Sequence, residues 1–188
     1  MIEKQYQQSL GITAIIVSLF LLSSEPALSD EETREARLDR LFSELAAAPD
    51  EATAKTIENQ IWVNWLQSGD TEIDTLMADA IQRRRQYDFG GALEVLNTVV
   101  AKAPDYAEGW NQRAMVNFYL RNYEASLADI AETLKREPRH FGALAGRGII
   151  RFQQGKPALA YQSIITAMKI YPFIPERSMV PDFNFQDQ

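Results

Sequence analysis

Three prolines, Pro104, Pro138 and Pro172, stand 34 residues apart, and this spacing limits the fold more than any other feature of the chain. Other columns keep the same step. Ala80, Ala114 and Gly148 repeat a small residue, as do Ala92, Ser126 and Ala160, while Leu96, Ile130 and Ile164 repeat a large aliphatic one. A fixed period of this length marks a stacked array, in which each unit buries its apolar face only against its neighbours. Such arrays bind partners through long concave surfaces. The period therefore speaks to the kind of protein and not to the partner.

The units run 73–106, 107–140 and 141–174. Each reads as a longer first helix, a tight turn and a second helix, with turns at Tyr87-Asp88, Arg121-Asn122 and Gly155-Lys156. Pro157 suits the first position of a helix, where a missing N–H costs nothing. The periodic prolines end the second helices, because the residue before a proline is pushed out of the α region. Small residues on the two helices of a unit let their backbones approach, and larger ones force them apart at about 1–3 kcal/mol or more.

Ahead of the repeats, two helices are expected outside the 34-residue register. One spans Asp30 to Ala48, capped by Asp30, with Leu38, Leu41, Phe42 and Leu45 on one stripe. The second starts near Glu51, carries Ala54, Ile57, Ile61, Trp65 and Leu66 on one face, and ends at Ser68-Gly69. This 30–69 hairpin is expected to cap the first repeat. After Pro172, the prolines at 175 and 181 argue against a helix. Phe173 and Ile174 are expected to cover the last repeat, with the remainder of the 175–188 tail disordered. The sharper alternative lays Met179, Val180, Phe183 and Phe185 extended in the repeat groove.

Location is read from the N-terminus. Leu10 to Leu22 is uncharged and largely apolar, a helix of roughly 20 Å against a hydrocarbon core of about 30 Å. Ala27-Leu28-Ser29 then places small residues where a signal peptidase reads. Residues 1–29 thus read as a secretory signal, giving a periplasmic protein; an uncleaved inner-membrane anchor is the alternative. A net charge of −7 argues against a nucleic-acid surface. The chain has no cysteine, which excludes disulfides and thiolate metal sites. A single histidine, His140, cannot build a His-based metal site, and its junction position fits packing. Gly142, Gly146 and Gly148 follow no strand and lack the Lys-Ser/Thr ending of a phosphate loop. With no catalytic motif in view, neither an enzyme nor a cofactor is expected.

These residues resemble the tetratricopeptide repeat (TPR) pattern, W-x2-L-G-x2-Y, then A-x3-F, then P. The middle unit reads Trp110-x2-Arg113-Ala114-x2-Asn117, then Ser126-x3-Ile130, then Pro138. Polar residues replace the pattern's Leu (Asp79, Arg113, Arg147) and Tyr (Arg83, Asn117, Arg151). The resemblance implies an all-α, right-handed α-solenoid of three TPR hairpins, here behind a non-repeat hairpin. With the signal, it is similar to small exported TPR proteins of proteobacteria. It further implies that the first helices line a concave groove for a peptide-like segment. By column, that groove holds Met77, Arg84, Arg85, Asn111, Met115, Phe118, Tyr119, Phe152 and Gln153. The family's carboxylate-clamp mode is not expected, because its asparagine column reads Ile81, Met115 and Ile149. The functional expectation is an interaction adaptor for a protein or peptide; the alternative is a self-associating structural module.

Overall fold

The computed structural model describes residues 32–181; residues 1–31, which include the expected signal, and the last seven residues lie outside them. Eight α-helices account for about three quarters of the described residues. They are α1 (Arg34–Ala46), α2 (Glu51–Trp65), α3 (Thr71–Arg85), α4 (Phe89–Lys102), α5 (Ala107–Tyr119), α6 (Tyr123–Arg136), α7 (Phe141–Gln153) and α8 (Pro157–Ile170). Helices α3–α8 pack as three consecutive hairpins, with α4 on α5 and α6 on α7 joining neighbours.

Local chemistry explains the helix ends. Thr33 caps α1: its hydroxyl accepts the Ala36 N–H at 3.2 Å from an extended backbone, and Asp30, the expected cap, lies outside the described residues. Glu32 is taken by Arg37 and Arg40 instead. Asp50 opens α2 and Asp70 opens α3, each by accepting early N–H groups. Helix α2 stops at Trp65, and Leu66 is its half-buried C-cap rather than part of the apolar face. Gly69, at φ +88°, turns the linker that follows.

The turns inside the hairpins show why the period is strict. Tyr87, Arg121 and Gly155 occupy the same column and all take positive φ, at 63°, 61° and 70°. Only the third is a glycine, so the first two hairpins carry backbone strain that the packing around them must hold. The expected small-residue contacts are present. Ser126 Oγ donates to the Ala114 carbonyl at 2.7 Å, joining α6 to α5. A Cβ built on Gly148 would stand 2.7 Å from Ile164 Cγ1 and 3.2 Å from the Ala160 carbonyl oxygen. Leu96, Ile130 and Ile164 are all buried.

The N-terminal hairpin does not sit where the sequence reading puts it. Its stripe (Leu38, Leu41, Phe42, Leu45, Ala54, Ile57, Ile61, Trp65) joins Phe141, Leu144, Ile164, Met168 and Tyr171 of the third repeat in one core. Polar contacts agree: Tyr171 Oη donates to Glu58 at 3.2 Å, and Arg139 bonds Asp39. The first repeat keeps a separate core around Met77, Ala80, Ala92, Leu96 and Val116. Hence the hairpin folds back onto the far end of the array instead of capping its start. The tail also departs from expectation. Pro175–Met179 forms a short 3-10 helix, which a proline at its first position permits. Ile174 is buried, and Met179 and Val180 pack on the same core.

Candidate functional site

Placing α2 against the third repeat builds a cleft of about 380 Å³ on the concave side. Its floor comes from the first helices of two repeats: Met115, Phe118 and Tyr119 from α5, and Gly142, Ala145 and Ile149 from α7. One wall is Glu58 and Trp62 of α2, and its end is Ile174, Pro175 and Glu176. Gly142 allows the wall to close, since a Cβ there would lie 3.0 Å from the Trp62 ring.

Of the nine groove residues expected from the columns, Asn111, Met115, Phe118 and Tyr119 line this cleft together. Met77 is instead 2% exposed: it packs in the core with Ala80, Ala92, Leu96 and Val116, and its column is buried in the other two repeats as well, at Asn111 and Ala145. Arg84 is half-buried; Arg85, Phe152 and Gln153 are exposed but do not line the cleft. Tyr119, 48% exposed, stacks on Phe89 with ring centres 5.0 Å apart, and Tyr87 lies edge-on beyond Phe89. An aromatic ledge therefore runs from the cleft to the turn edge.

The sequence reading did not reach Trp62, Glu58 or the Ile174–Glu176 end of the cleft. One signal was available. Trp62 lies off the Ala54–Ile57–Ile61–Trp65 stripe, and a short helix with large aromatics on two faces has two surfaces to contact.

Two buried polar networks hold the helices that carry the cleft. Glu108, 1% exposed, accepts from Gln112 Nε2 at 2.7 Å, from Asn111 Nδ2 at 3.2 Å and from His140 Nε2 at 2.9 Å. Because His140 Nδ1 accepts the Ala143 N–H, the ring proton sits on Nε2. The His140 ring also stacks on Trp65, with centroids 4.0 Å apart and planes 7° apart. One histidine thus caps α7, ties it to α5 and seats α2. Asn111, expected to face a ligand, is spent on this network. The second network explains the polar departures in the middle repeat. Asp129 of α6 receives two bonds from Arg113, at 2.6 and 3.0 Å, and one from Asn117 at 2.9 Å. Arg113 also reaches Asn97 of α4, so these side chains clamp three helices and leave the cleft wall to apolar groups.

The chain is 39% identical over 173 residues to a TPR repeat-containing protein of Rhizobium etli, an alignment covering 85% of each. The chain belongs to the TPR repeat-containing proteins. No family model matches it. The all-helical hairpin array is thus a TPR array, and TPR chemistry applies: a repeat surface for protein partners. Among the described residues of this TPR protein, no group of three or more His, Asp or Glu side chains is placed to hold a metal ion. No helix among them is long and apolar enough to cross a membrane.

Proposed function

We propose that this TPR protein is an adaptor that holds a segment of a partner protein in the cleft between α2, α5 and α7. The cleft itself carries the reading: Met115, Phe118, Tyr119, Ile149 and Trp62 present apolar and aromatic surface with no side chain of the described residues filling the space. Monomeric proteins rarely leave such surface uncovered without a use for it. A segment with one or two apolar anchors fits. Because Glu58 and Trp62 of α2 close one side of the cleft, the bound segment is short. The partner meets the protein in the periplasm, a location supported by the apolar Leu10–Leu22 stretch and the Ala27-Leu28-Ser29 triplet. The protein works by binding alone, without a cofactor or reaction of its own.

In-cell photo-crosslinking tests this, with a photoreactive residue at position 119 and a control at Lys135, exposed on α6. The adaptor reading expects adducts to another protein from 119 alone. Adducts only to further copies of this chain would favour the self-associating module instead.

A further inference from the structure

Consecutive helices of the array run antiparallel, so the turns inside the three hairpins share one edge and the junctions between repeats share the other. The two edges differ. Among the described residues six large apolar side chains are exposed, and five of them stand on the turn edge: Tyr87, Tyr119, Leu120, Phe152 and Leu159. Tyr87, at positive φ, is 81% exposed. Phe89 touches both Tyr87 and Tyr119, so the first two turns carry one aromatic strip. Single exposed apolar residues need no explanation, but such a gathering does.

Charge gathers on the same edge. Residues 83–91, 117–125 and 151–159 hold six cations, Arg83, Arg84, Arg85, Arg121, Arg151 and Lys156, against Asp88 and Glu124. Arg83 is spent on Asp79 and Asp88, and among the described residues no ion pair occupies the other five. The junction edge, 66–74, 100–108 and 134–142, reverses the balance, with six carboxylates against four cations. A chain of net charge −7 thus keeps one cationic edge, and it is the edge that exposes the rings.

Tyr and Phe rings beside Arg and Lys suit the headgroup level of a bilayer, where the rings meet the acyl boundary and the cations meet lipid phosphates. These rings stand on projecting turns and not in a groove, so they can enter such a layer but cannot enclose a peptide. We propose that the turn edge docks on an anionic lipid bilayer, with Tyr87, Tyr119 and Phe152 entering the headgroup layer and Arg85, Arg121 and Lys156 facing its phosphates. The proposal does not rest on the adaptor reading. Since Tyr119 also lines the cleft, docking brings one end of the cleft to the membrane surface.

The chain has no cysteine, so Tyr87→Cys, Phe152→Cys and, on the junction edge, the exposed Asp105→Cys can each be labelled alone in the full-length chain with a polarity-sensitive fluorophore. The readout is local to the label, so membrane affinity of the Leu10–Leu22 stretch does not produce it. On vesicles of phosphatidylcholine and phosphatidylglycerol in a three-to-one mixture, labels at 87 and 152 should shift to the blue and brighten several-fold, and the label at 105 should not. High salt should reverse the change by screening. Arg85→Glu with Lys156→Glu should reduce it several-fold while the melting curve shows a folded protein. No change at 87 and 152, an equal change at 105, or an equal change on phosphatidylcholine alone would overturn the proposal. A response of 87 and 152 to polyglutamate but not to vesicles would overturn it in favour of an acidic protein partner.

Discussion

Single residues decide how closely each hairpin packs. Gly148 and Gly146 lie in one helix, yet their surroundings differ. A Cβ at 148 would meet Ile164 at 2.7 Å and the backbone of Ala160, whereas at 146 the nearest atom is Ile130 Cδ1 at 3.7 Å. Gly148→Ala should therefore destabilise by about 1–3 kcal/mol, and Gly146→Ala should be neutral or stabilising through helix propensity. Urea melts of the two variants check this, and equal midpoints would contradict it. The strained turns give the opposite sign. Tyr87 and Arg121 hold positive φ, so Arg121→Gly should be tolerated and even gain up to about 1 kcal/mol, while Gly155→Ala should lose a comparable amount. These columns were legible from the period alone, since small residues recur only where backbones meet. The strain was not, because nothing in Tyr87 or Arg121 as residue types announces a left-handed backbone.

At the level of elements, polar clamps replace part of the apolar packing of the TPR pattern. Asp129 is 3% exposed and takes three hydrogen bonds from α5 side chains. Removing Arg113 leaves that carboxylate buried with Asn117 alone. Arg113→Ala should cost about 3 kcal/mol or more, and an Arg113→Ala, Asp129→Ala double variant should recover part of the loss. Additive losses in a double-mutant cycle would show the pair to be uncoupled. The sequence marked Arg113 and Asn117 as departures but could not name their partner, which lies on the next helix and has no fixed spacing signal. The same holds for His140: its junction position suggested packing, while its bonds to Glu108 and its stack on Trp65 depend on where α2 comes to rest.

For the whole molecule, the N-terminal hairpin is a large part of the core. It supplies eight of the buried apolar residues around Phe141, Met168 and Tyr171. A chain lacking residues 30–68 should expose that surface, bind a hydrophobic dye and melt at a lower temperature, with the loss felt first in the third repeat by hydrogen exchange. First-repeat amides losing protection before those of α7 and α8 would refute this placement. The same contact makes stability sensitive to alkali. Burial and the Glu58 carboxylate push the Tyr171 hydroxyl up to about 12, and burial, with Glu108 and Asp74, raises Tyr106 as well. In the unfolded chain both ionise near 10. Their contribution is therefore complete below about pH 10 and falls as pH rises through the interval to about 12, because only the unfolded state sheds the proton. Urea midpoints that hold steady from pH 9 to 11 would contradict this, and Tyr171→Phe should flatten the decline.

By itself the sequence determined the all-helical class, the three hairpins and their turns, because close approach of paired helices forces small residues into columns 34 apart. It also named Met115, Phe118 and Tyr119, whose column follows from the same register. Only the tertiary structure decided that the leading hairpin docks on the third repeat, and hence that a cleft rather than an open groove remains. The reason is physical: an apolar stripe such as Leu38–Leu41–Leu45 fits any apolar face, and shape and buried polar partners choose among them. Here Trp65 finds the His140 ring and Glu58 finds Tyr171, contacts that no spacing along the chain records.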